Sequence, residues 1–131
     1  MNSKLIDLPK IVDPRGNLTV AEQLKNIPFS IARVYWTYDV PSGERRGGHA
    51  HRTCEEIVIA VSGSFDVTVD DGRGNKEICH LNHPYQGLYI GSGVWRFFFL
   101  HVEWFYTILC LWRKGAGQDV WSLAVHPEAA F

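Results

Sequence analysis

The chain has 131 residues, 46% of them hydrophobic and 21% charged, with a formal net charge of -1 at pH 7. These values fit one domain with its own apolar core and give no electrostatic reason to bind nucleic acid or an acidic surface. The amino-terminal MNSKLIDLPK lacks the apolar core of a secretory signal and no apolar run reaches membrane-spanning length, so no membrane association is expected and the expected compartment is the cytoplasm.

Nearly all predicted elements are strands. Leu18 to Ala21 follows the turn sequence Asp13-Pro14-Arg15-Gly16, and Ile31 to Tyr38 is a longer extended segment rich in β-branched and aromatic residues. Alternation puts Ile31, Arg33, Tyr35 and Thr37 on one face and Ala32, Val34, Trp36 and Tyr38 on the other. A strand with arginine and tyrosine on one side and apolar bulk on the other suits a barrel enclosing a partly polar ligand. Between these segments, Val20 to Asn26 is expected to make at most one helical turn.

The Gly- and Arg-rich stretch up to Gly48 reads as a loop that delivers His49, Ala50 and His51 into the apolar strand Ile57 to Val61, which ends at a Ser62-Gly63-Ser64 turn. With period-two alternation, His49 and His51 occupy one face and Ala50 the other, so two imidazoles share a small volume. Two histidines so close after an Arg-Gly-Gly loop are costly to bury without a use. Phe65, Val67 and Val69 then alternate with Asp66, Thr68 and Asp70; Asp71 to Asn75 supplies a turn, and Lys76 to Leu81 returns as the second arm of a hairpin. His80 and His83, flanking Asn82 beside Pro84, read as loop or surface residues.

From Arg96 to Trp112 the chain carries Phe97-Phe98-Phe99-Leu100 and the aromatic run Trp104 to Trp112, expected as two strands buried on both faces or placed at a subunit contact. Cys54, Cys79 and Cys110 are odd in number and irregular in spacing, which fits neither a disulfide framework nor a CxxC zinc site; they read as small core residues. Many short strands separated by Gly, Pro, Asn and Asp imply an all-β sandwich or barrel, and no internal repeat argues for a second domain.

The spacing Gly43, His49, His51, Glu56, Gly63 resembles the first signature motif of the cupins, which implies a small jelly roll spanning residues 1–131 as a single domain. In metal-binding cupins the two histidines and the glutamate are ligands, with a third histidine from a second motif. The matching segment here, Gly91 to Arg96, ends in arginine. A guanidinium stays protonated and has no lone pair for a metal, so the expectation is no metal and no other cofactor, with the histidines acting as acid and base.

A closer resemblance lies in Arg46-Gly47-Gly48-His49-Ala50-His51, supported by Asp13 to Leu18, Ile27-Pro28-Phe29, Arg33-Val34-Tyr35, Val40-Pro41, Leu88-Tyr89-Ile90 and Gly93-Val94-Trp95. Together these are similar to the WxcM-like sugar-nucleotide 3,4-ketoisomerases, which act on dTDP-4-oxo-6-deoxyglucose. The resemblance covers about residues 4 to 96, and residues 97–131 depart from the family pattern. Divergence and a shifted reading frame near Arg96 both account for that departure.

The resemblance implies an isomerase that moves the keto group of a dTDP-linked 4-oxo-6-deoxyhexose from C4 to C3 through an enediol, for deoxyamino-sugar and polysaccharide (including lipopolysaccharide) biosynthesis. It makes His49 and His51 the acid/base pair and gives Tyr35 or Tyr38 the developing enediolate oxygen. Arg15, Arg33 and Arg46 are candidates for the diphosphate, Trp36 or Trp95 for the base, and Tyr38 and Arg96 for the remaining substrate contacts. Of Glu55 and Glu56, one is expected to be structural and the other exposed. A homodimer is expected. A related dTDP-sugar epimerase and a non-catalytic sugar-nucleotide-binding cupin are the alternative readings.

Overall fold

The computed structural model describes residues 1–40, 45–99, 106–113 and 120–121, without the side chains of residues 40, 45–47, 49, 51, 106, 108, 120 and 121. Its strands in chain order are β1 (Ser3–Asp7), β2 (Lys10–Ile11), β3 (Leu18–Thr19), β4 (Arg33–Val40), β5 (Arg45–His51) and β6 (Glu55–Ser62). They continue with β7 (Phe65–Asp70), β8 (Lys76–Leu81), β9 (Gln86–Ile90), β10 (Trp95–Phe99), β11 (Tyr106–Arg113) and β12 (Val120–Trp121). One five-stranded sheet has the order β1-β9-β6-β11-β4, the other the order β12-β5-β10-β7-β8, and β2 and β3 form a separate hairpin. The pairings between these strands are antiparallel, and the whole is the all-β jelly roll expected from the motif spacing.

The core between the sheets follows from strand alternation. Phe65, Val67 and Val69 of β7 point inward and meet Val58 and Ala60 of β6, Leu88 and Ile90 of β9, Phe98 of β10 and Cys110 of β11. The side chains on the other face of β6, Ile57 and Ile59, are buried as well, because the amino-terminal segment lays Leu8, Ile27 and Phe29 over them and over Leu111. A strand covered on both sides has no use for a polar face, which is why β6 reads as a continuous apolar run. Gly87 of β9 is small for a local reason: a Cβ there would stand 2.8 Å from Ile57 Cγ2. Gly63 turns the chain from β6 into β7 at φ 70°, a conformation that costs glycine little.

Three features depart from, or go beyond, the local sequence reading. The Gly- and Arg-rich stretch is not wholly a loop: Arg45 to His51 is strand β5, so the histidines stand in one sheet while the apolar run that follows them is β6 of the other. The register β5 makes with β10, Arg96 opposite His49, supplies the pairing that local composition did not announce. Ser3–Asp7 is a strand because β9 offers it a free edge, a long-range partner with no local signature. Residues 24–26 form a turn closed by Ile27 N–H donating to the Glu22 carbonyl at 3.2 Å, and Leu24 takes φ 59°, which ends any helical path. Of the aromatic run, Trp104 and Phe105 lie outside the described residues, while Tyr106 to Arg113 forms β11 at the centre of its sheet, between β6 and β4. Among the described residues no helix is long and apolar enough to cross a membrane.

Candidate active site

Strand β6 begins with two consecutive glutamates, and the pleat sends them to opposite faces. Glu56 goes inward. In the register it lies in a row with Ile90 of β9, Trp112 of β11 and Arg33 of β4, and the next row brings Val58, Cys110 and Tyr35 together. From the facing sheet Arg96 reaches across the barrel and sets its Nε 2.5 Å from Glu56 Oε1. The Tyr35 hydroxyl donates to Glu56 Oε2 at 3.3 Å and accepts from Arg96 Nη2 at 3.5 Å, closing a ring of three polar side chains inside an apolar interior. The guanidinium also lies 5.2 Å from the centre of the Phe98 ring. Glu56 and Arg96 are 0% and 1% exposed.

That ring is not fully satisfied. The Arg96 Nε to Glu56 Oε1 contact is an ion pair without the alignment of a hydrogen bond, and Arg96 Nη1 has no hydrogen-bond partner among the described residues. A buried donor left unpaired costs about 1–3 kcal/mol, so Nη1 is a ready contact for a ligand oxygen. Burial pushes the Glu56 carboxyl above the usual range, against the opposing pull of the Arg96 charge and the Tyr35 hydroxyl. Burial disfavours the charged Arg96, but Glu56 and Tyr35 more than offset this and raise its pKa further. Tyr35 is raised by burial first and by the Glu56 charge second, and the Cys110 thiol beside it is pushed up to about 12 by burial. Tyr35 is therefore neutral at physiological pH, its proton directed at Glu56.

His49 stands directly opposite Arg96 in the β5–β10 register. Directly opposed residues of an antiparallel pair share a face, so position 49 falls on the barrel face that Arg96 occupies, and position 51, two residues along, has the same parity. Their side chains lie outside the description, as does that of Arg46, whose backbone pairs with Phe98.

The other sequence-predicted residues separate into two groups. Arg33 shares the register of that row but is exposed at its end, its guanidinium 4.7 Å from the Trp112 ring centre. Tyr38 and Trp36 lie on the opposite face of β4 from Tyr35 and are exposed. Trp95 lies on the other face of β10 from Arg96, packed with Ala50 and Phe97. Arg15 sits in the turn between β2 and β3, bonded through Nη2 to Asp13 Oδ2 at 2.8 Å with 89% of its side chain exposed. The fold thus unites Tyr35, Arg96 and position 49, leaves Arg33 exposed at the end of the same row, and does not bring Tyr38, Trp95 or Arg15 onto that interior face. Glu56, ambiguous in the sequence, is central; its only local signal was its place five positions after His51 in the motif spacing. Cys110 had no signal within its apolar run.

These groups do not suit a divalent cation. A guanidinium stands where a third imidazole ligand would be required, and Glu56, the motif's carboxylate, is committed to that guanidinium.

The family model described as FdtA, WxcM-like, C-terminal, matches residues 1–109. The chain belongs to the WxcM-like family of sugar-nucleotide 3,4-ketoisomerases. Over 95 residues it is 46% identical to the TDP-4-oxo-6-deoxy-α-D-glucose-3,4-oxoisomerase of Aneurinibacillus thermoaerophilus, covering 72% of this chain and 68% of that one. It resembles the 3,4-ketoisomerase QdtA of Thermoanaerobacterium thermosaccharolyticum, solved as a histidine-to-asparagine variant with TDP-4-keto-6-deoxyglucose, at TM-score 0.84 and 33% identity over 92% of this chain and 86% of that one. The TDP-quinovose 3,4-ketoisomerase WlaRB of Campylobacter jejuni aligns at TM-score 0.81 and 37% identity, over 91% of this chain and 92% of its own.

Proposed function

We propose that this protein moves the keto group of a TDP-linked 4-oxo-6-deoxyhexose from C4 to C3 by histidine acid/base chemistry. The observation that carries the reading is the register partnership of His49 with Arg96, whose buried guanidinium keeps an unpartnered donor beside Tyr35 and Glu56. His51 or His49 takes the proton from C3 as the C4 carbonyl oxygen becomes the oxygen of an enediolate. The enediol then loses its C3 hydroxyl proton and gains one at C4, so C3 is oxidised and C4 reduced with no external redox partner. An imidazole suits both transfers because its proton exchanges near neutral pH.

Arg96 Nη1 contacts the developing enediolate oxygen, with Tyr35 holding the guanidinium edge. Arg33 and Arg46 serve the diphosphate, for which forked donors are suited. Arg15, Tyr38 and Trp95 have no part in this scheme. The known enzyme solved with its keto sugar carries an asparagine in place of a histidine, which supports the imidazole assignment. The same reading makes the protein a cytoplasmic homodimer in solution, the outward Val34, Trp36 and Tyr38 of β4 being a large exposed apolar face for such a contact.

Proton NMR of the protein with TDP-4-oxo-6-deoxyglucose in deuterated buffer containing a chelator tests the proposal. A 3-oxo sugar with deuterium at C4 is the expected product. Folded protein that binds TDP but exchanges nothing at C3 means a binding module, and inversion at a carbon without keto transfer means an epimerase.

A further inference from the structure

We infer that Glu56 is a positioning residue for the isomerisation and acts through Arg96; the inference rests on the ketoisomerase reading above. Glu56 is fully buried and is bound on both sides: one oxygen faces Arg96 Nε and the other receives the Tyr35 proton. Those two contacts fix the guanidinium in the barrel with Nη2 on the Tyr35 hydroxyl and leave Nη1 without a hydrogen-bond partner among the described residues. The backbone of the same arginine pairs with His49, so the donor and one of the two candidate bases are carried by directly opposed positions of two adjacent strands.

The C4 oxygen is a neutral carbonyl in the substrate and anionic in the enediolate. A rigid guanidinium donor therefore binds the transition state more strongly than the ground state, which appears in kcat and not in KM. The Glu56 carboxylate would repel that same oxygen, so its contribution is indirect: it holds Arg96 at one angle and keeps the Tyr35 proton turned away from the sugar. An amide at position 56 keeps the shape and loses the ionic grip.

Steady-state kinetics with TDP-4-oxo-6-deoxyglucose, calorimetric TDP affinity and thermal melting are compared for the wild type, Glu56→Gln, Glu56→Asp, Arg96→Gln and the double variant Glu56→Gln/Arg96→Gln. Glu56→Gln is expected to lose about 30-fold or more in kcat, with KM and TDP affinity changed by less than about threefold, as for a group acting only in the transition state. Glu56→Asp keeps the charge but withdraws it by one methylene, shows the same kcat loss, and carries the test if the amide variant does not fold. In the Arg96→Gln background, adding Glu56→Gln lowers kcat no further. A folded Glu56→Gln or Glu56→Asp with wild-type kcat overturns the inference, and so do losses at 56 and 96 that multiply. Wild-type protein that makes no 3-oxo sugar removes the ketoisomerase reading itself, before any variant is compared.

Discussion

Glu55 and Glu56 are neighbours in the chain, and each gathers one tyrosine and one arginine on its own face of β6. On the outer face Glu55 accepts from the Tyr89 hydroxyl at 2.5 Å and from Arg113 Nε, and Arg113 Nη2 donates to the Thr53 carbonyl at 2.6 Å. Arg113 and Glu55 keep 38% and 25% of their side chains exposed, so water screens the pair and the cluster works as a strut between β6 and the end of β11. On the inner face Glu56, Arg96 and Tyr35 make the same set of groups in a low-dielectric interior, with Arg96 Nη1 unpartnered among the described residues. Identical chemistry is structural where solvent reaches it. Where solvent is excluded, the same groups carry the proposed catalytic role.

The largest test of that division is His51→Ala, which is expected to lower kcat by about 10²–10⁴ while TDP binding persists. Glu55→Gln on the outer face should leave kcat within about twofold, since its cluster touches no reacting group. Rates that fall together in both variants would break the comparison, and a product assay by NMR reads them directly.

Alkaline stability separates the faces next. The Cys110 thiol, ordinarily near 9.0, is held at about 12 by burial, and burial also raises Tyr35. The folded state thus favours the protonated thiol: its contribution is complete below pH 9, and is lost as pH rises from 9 towards 12 because only the unfolded chain ionises there. By pH 11 the loss from this one thiol is about 3 kcal/mol, read from urea midpoints between pH 8 and 11. Cys110→Ala is expected to flatten that slope. Retention of the wild-type slope would assign the loss elsewhere, beginning with Tyr89 on the outer face, raised to about 12 by burial and by Glu55.

Smaller effects complete the contrast. Glu55→Gln should cost about 1 kcal/mol of stability after screening, seen as a lower thermal midpoint with unchanged kinetics. Arg15→Ala should change stability by less than about 0.5 kcal/mol and leave kcat/KM unaltered, because the side chain is exposed and, among the described residues, bonded to its neighbour Asp13. A tenfold rise in KM would return Arg15 to the substrate site and require the β2–β3 hairpin to reach it in a second copy.

Much of this was legible along the chain. Period-two alternation located β7 and β8 closely, and the Gly43 to Gly63 spacing named the jelly roll and the histidine pair. Arg96 stood out by occupying a position where a metal site would need an imidazole. Less legible was β5, whose glycines and arginines look like a loop until β10 supplies its hydrogen bonds. Trp95 and Tyr38 were placed beside functional neighbours in sequence, yet a one-residue step in a strand reverses the face, so adjacency to Arg96 sent Trp95 outward.

The sequence by itself determined the fold class, the family and the chemistry available, because strand periodicity, motif spacing and the fixed charge of arginine are local properties. Only the tertiary structure decided which glutamate is buried. Glu55 and Glu56 are alike in the chain, and what distinguishes them is the opposite sheet: it brings Arg96 across the barrel, excludes water from one carboxylate and leaves the other at the surface. Burial and long-range pairing set the value of a charge, and neither can be read from a residue's own neighbours.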